Sequence, residues 1–291
     1  MYQVTLHASA VNFLAAAEPA LSRNELENNL ILGVPLRVRD GGYEDAPDNL
    51  YFTITAQGKL VGAAVMTPPH NFIVHVERDA EADALPILRA LADAAFPNRD
   101  TIPGVIGRTP WVGEFAKIWS EITGIPLKQV MSERVFELRE VAWPRKSEGR
   151  LRVCTNADLP LMIAWFRAFA DEALGNEPIS DAEETMKKAI EQQRMYQWEV
   201  PEGEGWRAVC MVGKSRALGR GRTVGPVYTP PAERGKGYAS NATAAVSAVL
   251  LEEGWEYATL FTDLSNSTSN SIYQKIGYKP VCDYAVWHVE R

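Results

Sequence analysis

The sequence predicts an α/β chain with a mixed sheet, divided into two domains of similar layout. Three observations carry this. Strand-like and helix-like stretches alternate along all 291 residues, and no apolar run is long enough to span a bilayer. A polar stretch with breakers, Trp143-Pro144-Arg145-Lys146-Ser147-Glu148-Gly149-Arg150, reads as a linker near the middle. In the second half a β-type segment runs through a glycine-rich turn straight into a helix, and the first half repeats that layout in outline. Two domains, 1–142 and 150–291, are expected for a chain of this length.

In the first half the pattern predicts helices over about Asn12 to Ala17 and Ser22 to Gly33, then a strand from Asn49 to Thr55. Gln57-Gly58-Lys59 makes a hairpin turn into a strand from Leu60 to Met66. A strand from Phe72 to Val76, a helix from Ala84 to Phe96, a short strand at Gly104-Val105-Ile106 and a helix from Glu114 to Ile122 follow. The last strands of this half fill Leu127 to Val141.

The second half opens with a strand from Leu151 to Cys154 and an amphipathic helix from near Asp158 to about Leu174. A second helix is expected from Ser180, with Glu183 three residues on as its capping-box partner. Tyr196 to Val200 and Trp206 to Val212 read as hairpin strands, and Gly219-Arg220-Gly221 leads into a strand over Arg222 to Thr229. An alanine-rich helix over about 239–253 and a strand from Tyr257 to Asp263 come next.

Composition points to a soluble enzyme. The net charge of −7, from 37 acidic and 30 basic residues, argues against a nucleic-acid partner, whose footprint would be basic. The three cysteines, Cys154, Cys210 and Cys282, are scattered, which suggests a reducing compartment and no disulfide framework. The first residues lack a basic region followed by an apolar stretch, so the cytoplasm is the expected compartment and no membrane partner is expected. His70 and His75 lack zinc-ligand company, and no metal is expected. No Gly-x-Ser-x-Gly elbow supports a hydrolase.

The chemistry concentrates at Val227-Tyr228-Thr229-Pro230-Pro231-Ala232-Glu233-Arg234-Gly235-Lys236-Gly237 and the helix that follows. Glycines at such a turn let backbone amides crowd around an anion without Cβ interference. The new helix aims its unsatisfied N–H groups and its positive dipole end at the same spot. The unit is a pyrophosphate cradle. It is neither a P-loop nor the dinucleotide fingerprint, because Gly-x-x-x-x-Gly-Lys-Ser/Thr and Gly-x-Gly-x-x-Gly are both missing.

What remains is Arg-x-x-Gly-x-Ala, filled by Arg234, Gly237 and Ala239, which resembles the acetyl-CoA loop of the GNAT superfamily of N-acyltransferases. Downstream, Asn266-Ser267-Thr268-Ser269-Asn270-Ser271-Ile272-Tyr273-Gln274-Lys275-Ile276-Gly277-Tyr278 is similar to the short helix and following strand at the end of the same superfamily. The resemblance is most specific over Arg222 to Asp283. It implies two tandem GNAT-like acyl-CoA N-acyltransferase domains, the first a degenerate copy. The turn after Phe72 to Val76 carries Glu77, Asp79, Glu81 and Asp83 and no glycine, so the cofactor site is expected in the second half only. An unrelated first domain is the alternative.

The resemblance further implies acetyl-CoA as cosubstrate and an amine, small-molecule or peptide, as acceptor. Backbone groups of Val227 and Thr229, beside Tyr228, would pair with the pantetheine arm. Arg234, Gly235, Lys236, Gly237, Tyr238, Ala239 and Ser240 would hold the pyrophosphate. Asn266 would hydrogen-bond the pantetheine arm, with Ser269 nearby. Tyr273 matches the tyrosine that protonates the leaving thiolate, and a phenol with pKa near 10 can donate at neutral pH; packing on an apolar face with Ile272 and Ile276 is the other reading. The strand before the loop has no carboxylate, so the general base is open between Asp263, Glu172 and a water relay. Trp165 and Trp198 are candidates for an acceptor pocket. Lys214, Arg216, Arg220 and Arg222 are expected on a solvent face. The alternative function is a CoA-binding regulatory or interaction protein that has lost catalysis.

Overall fold

The computed structural model describes residues 2–173 and 181–290. In the first half the chain forms β1 (Tyr2–Leu6), α1 (Ala10–Leu21), α2 (Asn29–Arg39), β2 (Leu50–Ala56), β3 (Lys59–Met66), β4 (Phe72–Val76), α3 (Ala84–Ala95), β5 (Gly104–Arg108), α4 (Trp111–Thr123) and β6 (Leu127–Leu138). The second half forms β7 (Arg150–Val153), α5 (Leu159–Ala173), α6 (Ala182–Glu191), β8 (Met195–Glu202), β9 (Gly205–Ala217), β10 (Gly221–Tyr228), α7 (Tyr238–Glu252), β11 (Tyr257–Asp263), α8 (Ser267–Lys275) and β12 (Lys279–Val289).

The two halves repeat one order of elements. β1, β2, β3 and β4 pair antiparallel in succession, and β4 pairs parallel with β5. β7, β8, β9 and β10 do the same, and β10 pairs parallel with β11. A helix pair follows the first strand of each series, and a single helix joins the parallel pair, which antiparallel hairpins do not need. The expectation of two copies of one mixed-sheet fold is met.

Compactness divides the chain into two units. The first comprises Met1–Val135, Asp263–Ser265 and Val281–Arg291; the second comprises Phe136–Thr262 and Asn266–Pro280. The expected spans 1–142 and 150–291 follow chain order, whereas the units do not. In the first unit β12 runs antiparallel to β5, from Tyr284↔Arg108 to His288↔Gly104. In the second, Thr259 Oγ1 donates to the carbonyl of Phe136 at the end of β6 (2.8 Å). A strand belongs where its ladder partner lies, and ladder hydrogen bonds are indifferent to chain order.

Each unit has an apolar cluster on either side of its strands. In the first, Ile87, Leu88, Leu91, Phe115 and Trp119 of α3 and α4 cover one face, and Phe13, Leu14, Ile31 and Leu32 of α1 and α2 the other. In the second, Ala242, Val246 and Leu250 of α7 cover one face, and Met162, Met186 and Ile190 of α5 and α6 the other.

Several expectations shift. β1 was not foreseen: three of its five residues are exposed and none is buried, so it carries no clear apolar alternation. The helix expected over Ser22 to Gly33 starts at Asn29 instead. Ser22–Asn24 forms a 3-10 turn, and side-chain bonds from Asn28 to Leu21 O (2.9 Å) and from Asn29 to Leu26 O (2.7 Å) hold the irregular turn between it and α2. Ser180 lies outside the described residues; Asp181 is the cap of α6, accepting from the N–H groups of Glu183 and Glu184. Lys214 is not on a solvent face. It is 6% exposed, forms an ion pair with Glu253 at 2.5 Å and lies 5.2 Å from the Tyr196 ring centre. β9 is an inner strand with both edges paired, to β8 and β10, and both its faces are covered, Cys210 and Val212 entering one apolar cluster and Met211 the other.

Candidate acyl-CoA site in the second unit

The site starts where a strand pair separates. β10 and β11 keep parallel register only from Gly221↔Tyr257 to Thr223↔Thr259, although β10 continues to Tyr228 and β11 to Asp263. On its other side β10 stays paired with β9, through Val227↔Val212 and Tyr228↔Met211, after register shifts on either side of Val224. A bulge bends one strand away from its neighbour. The stretch carrying Val227 and Tyr228 therefore has one ladder edge outside the β11 register.

After β10 the chain makes a short 3-10 turn, Pro231–Glu233, and enters α7 at Gly237. Gly235 (φ +79°) and Gly237 (φ +81°) are left-handed, a conformation that costs an L side chain about 1–2 kcal/mol. A Cβ at Gly235 would meet nothing within 4 Å, so the glycines answer backbone shape and not crowding. Among the described residues, no N–H from Gly235 through Ser240 has a hydrogen-bond partner. Six consecutive donors thus stand at the positive end of a 15-residue helix. Gly235, Lys236 and Gly237 are exposed, while the Tyr238 and Ala239 side chains pack on the core beneath. This chain segment fits an anionic pyrophosphate through backbone alone.

The cations of the loop are engaged by carboxylates. Arg234 Nη2 lies 2.6 Å from Glu172 Oε2, and its Nε donates to Thr229 O at 2.9 Å. Lys236 pairs with Glu233 at 3.0 Å, and Glu233 also holds Arg207 at 2.8 Å. Hydrogen bonds from Lys236 and, next, from Arg207 keep the Glu233 carboxyl below its usual range. Tyr228 donates its hydroxyl to Glu172 at 3.4 Å, and its ring lies 6.4 Å from that of Trp165. Burial, then the charge of Glu172, raises the Tyr228 phenol above its ordinary value.

Tyr273 sits on α8 with its ring edge-on to Tyr278 at 6.0 Å. Burial pushes its phenol up to about 12; nearby Cys210 adds to the rise and a hydrogen bond with Ser269 opposes it. The hydroxyl is therefore held protonated. Asn266 Oδ1 accepts from the N–H of Ser269 at 2.9 Å and so caps α8, a structural task added to the pantetheine contact expected of it.

Other candidates fall away from the loop or into packing. Asp263 accepts from the N–H and hydroxyl of Ser265 (2.8 and 2.7 Å), and compactness places it with the first unit. Trp198 is 7% exposed and donates Nε1 to Glu148 O at 2.8 Å, so it is core and not an acceptor-pocket wall. Trp165 lies beside Tyr228, as above. Arg222 donates Nε to Ser215 O (3.3 Å), and its guanidinium lies 5.7 Å from the Trp255 ring centre.

In the first unit the segment at the position of the phosphate loop is Glu77 with the 3-10 turn Arg78–Asp83. Its acids are not bare. Glu77 is 2% exposed and 3.4 Å from His75 Nε2, Asp79 is 3.9 Å from Arg23, and Glu81 pairs with Arg108.

Sequence reasoning missed Asn241. It is 4% exposed on the first turn of α7 and donates Nδ2 to Gly237 O (3.0 Å) and Arg145 O (3.2 Å). A lone amide in an alanine-rich helix, four residues after the capping glycine, is the signal that could have found it.

The element order, the separated strand pair and the N–H-lined turn together make the acyltransferase layout that the motifs implied. Residues 150–279 match the family described as Acetyltransferase (GNAT) domain, and this part of the chain is a GNAT acetyltransferase domain. The fold of the whole chain is similar to that of solved GNAT proteins. A GCN5-related N-acetyltransferase from Sphaerobacter thermophilus is 14% identical, with a TM-score of 0.63 over 98% of this chain and 94% of that one. An acetyltransferase of the GNAT family from Colwellia psychrerythraea is 11% identical, with a TM-score of 0.58 over 99% and 100%. A tandem GNAT protein from the clavulanic acid biosynthesis pathway is 11% identical, with a TM-score of 0.56 over 99% and 98%. At these identities the likeness speaks to fold. No curated protein matches the sequence. Among the described residues no helix is long and apolar enough to cross a membrane.

Proposed function

We propose that this protein is an acetyl-CoA-dependent N-acetyltransferase, acting on a primary amine in the cytoplasm and using one site, on the second unit. The run of unbonded N–H groups from Gly235 to Ser240 carries the reading. Acetyl-CoA supplies the activated acyl group. The chain's task is to bind it, align it and manage protons.

Gly235 to Ser240 hold the pyrophosphate, and the separated edge at Val227, Tyr228 and Thr229 aligns the pantetheine arm as an added strand. Asn266 and Ser269 border that arm. Tyr273 keeps a proton at its phenolic oxygen for return to the departing sulfur, and the Ser269 hydrogen bond orients it. Glu172 is the best-placed carboxylate to draw an acceptor ammonium, because it sits at the end of α5 against Tyr228 and Arg234.

A panel of primary amines incubated with acetyl-CoA, with free CoA as readout, tests this. Acetyl-CoA-dependent thiol release with at least one amine is expected, beyond hydrolysis in its absence. Binding of acetyl-CoA with no release across a broad panel would refute the catalytic reading.

A further inference from the structure

The linker that follows β6 passes beside the phosphate loop, and its chemistry is unused by the site as described. Asn241 clamps the two together, donating to Gly237 O on the loop and to Arg145 O on the linker. Ser147 Cβ lies 3.9 Å from where a Cβ on Gly237 would stand. The far end of the linker is pinned as well, by the bond from Trp198 Nε1 to Glu148 O. Residues 145–147 are thus held beside the cradle by side-chain donors bonding to the carbonyls of Arg145 and Glu148, with their own side chains left for other work. All of these residues belong to the second unit.

Two further features point to an anion. Ser147 Oγ is buried and has no hydrogen-bond partner, which is costly unless a ligand atom supplies one. Arg145 and Lys146 are exposed, and among the described residues neither has an ion-pair partner. The loop's own cations contrast with them, since Arg234 and Lys236 are both paired with glutamates. The six backbone donors carry no net charge, yet CoA brings a pyrophosphate and a 3′-phosphate. The cradle lacks free positive charge from its own loop.

We propose that Arg145, Lys146 and Ser147 form a wall of the CoA phosphate site, the two cations balancing phosphate charge and the serine hydroxyl donating to a phosphate oxygen. This rests on the reading of the second unit as an acetyl-CoA site. The linker between the two halves of the chain is then a ligand-binding segment, and not only a connection.

Titration of the full-length protein by calorimetry tests it, with acetyl-CoA and its 3′-dephospho form as ligands. Arg145→Ala/Lys146→Ala should weaken acetyl-CoA binding about tenfold at low salt, with the deficit shrinking as salt rises. Ser147→Ala should weaken it about threefold, while Arg145→Lys/Lys146→Arg should bind as the wild type does. If the deficit of the double alanine variant disappears with the 3′-dephospho ligand, the cations meet the 3′-phosphate. If it persists, they meet the pyrophosphate; either supports the proposal. Wild-type affinity in the folded double alanine variant would overturn it. Failure of the wild type itself to bind acetyl-CoA would instead refute the function on which it rests.

Discussion

Gly237 offers a test in which folding and binding respond in opposite directions. Gly237→Asn and Gly237→Asp are nearly isosteric, and both residue types tolerate the left-handed conformation better than other L residues. The nearest atoms to a Cβ there are 3.9 Å away, so neither variant clashes. At φ +81° each costs about 1 kcal/mol of stability, small against the roughly 5–15 kcal/mol of a folded domain. Without ligand, the Asp variant gains about 0.3–1 kcal/mol over Asn from its charge at the N-terminus of α7. With ligand, the sign reverses. A carboxylate about 4 Å from a phosphate is repelled by about 1 kcal/mol in a water-like medium and about 4 kcal/mol at an effective dielectric of 20. The cradle is exposed on one side and backed by core on the other, so about 2 kcal/mol, or roughly thirtyfold in affinity, is expected between the two variants. Thermal melts without ligand should rank Asp at or above Asn. Acetyl-CoA titrations should rank Asn well above Asp, with the gap narrowing from 0.05 to 1 M salt, about 14 to 3 Å in screening length. Equal affinity in two folded variants would mean that the turn is only a connection, and that the donors from Gly235 to Ser240 serve no anion.

Tyr273→Phe should lower turnover by about 100- to 10,000-fold while changing acetyl-CoA affinity little, and the loss should shrink for a thioester with a more acidic leaving thiol; undiminished turnover would assign the ring to packing. Because burial holds the phenol up to about 12, no descending limb below about pH 11 should trace to Tyr273, which pH profiles of Tyr273→Phe and wild type compare directly. Glu172→Gln should release Arg234 and tighten acetyl-CoA binding about two- to fivefold, the value of one exposed ion pair, while raising KM for a cationic amine; weaker acetyl-CoA binding would contradict the competition. Asp158 is held down to about 2 by hydrogen bonds from Arg152 and, further, from Thr155. A depressed carboxyl stabilises the fold above its unfolded value near 4 and ceases to do so as pH falls through about 2. Asp158→Asn should therefore cost about 1 kcal/mol at pH 7, after discounting for solvent screening, and almost nothing near pH 2, as denaturant melts at both values would show.

The phosphate loop was legible because its function resides in backbone. Gly235, Gly237 and the start of α7 are local facts, set by a few consecutive residues, and a pyrophosphate needs little beyond N–H groups at a helix start. The strand and helix order was legible for the same reason, since periodicity is local. Charge partners were not. Lys214 reads as a solvent-facing lysine on a hairpin, and only the covering of β9 on both faces and the approach of Glu253 bury it. Glu172 and Arg234 lie 62 residues apart, and no spacing rule brings them to 2.6 Å. The linker reads as polar and breaker-rich, which describes its composition and hides its position; bonds from Asn241 and Trp198 fix it beside the loop. Strand membership was beyond local reading too. β12 completes the ladder of β5 because an open edge accepts any strand of suitable register, wherever it falls in the chain. What the sequence determined by itself is the set of short-range structures and the backbone chemistry they carry. The tertiary structure decided which distant charges meet, which are buried and which remain free for a ligand, because those depend on distances that only packing sets.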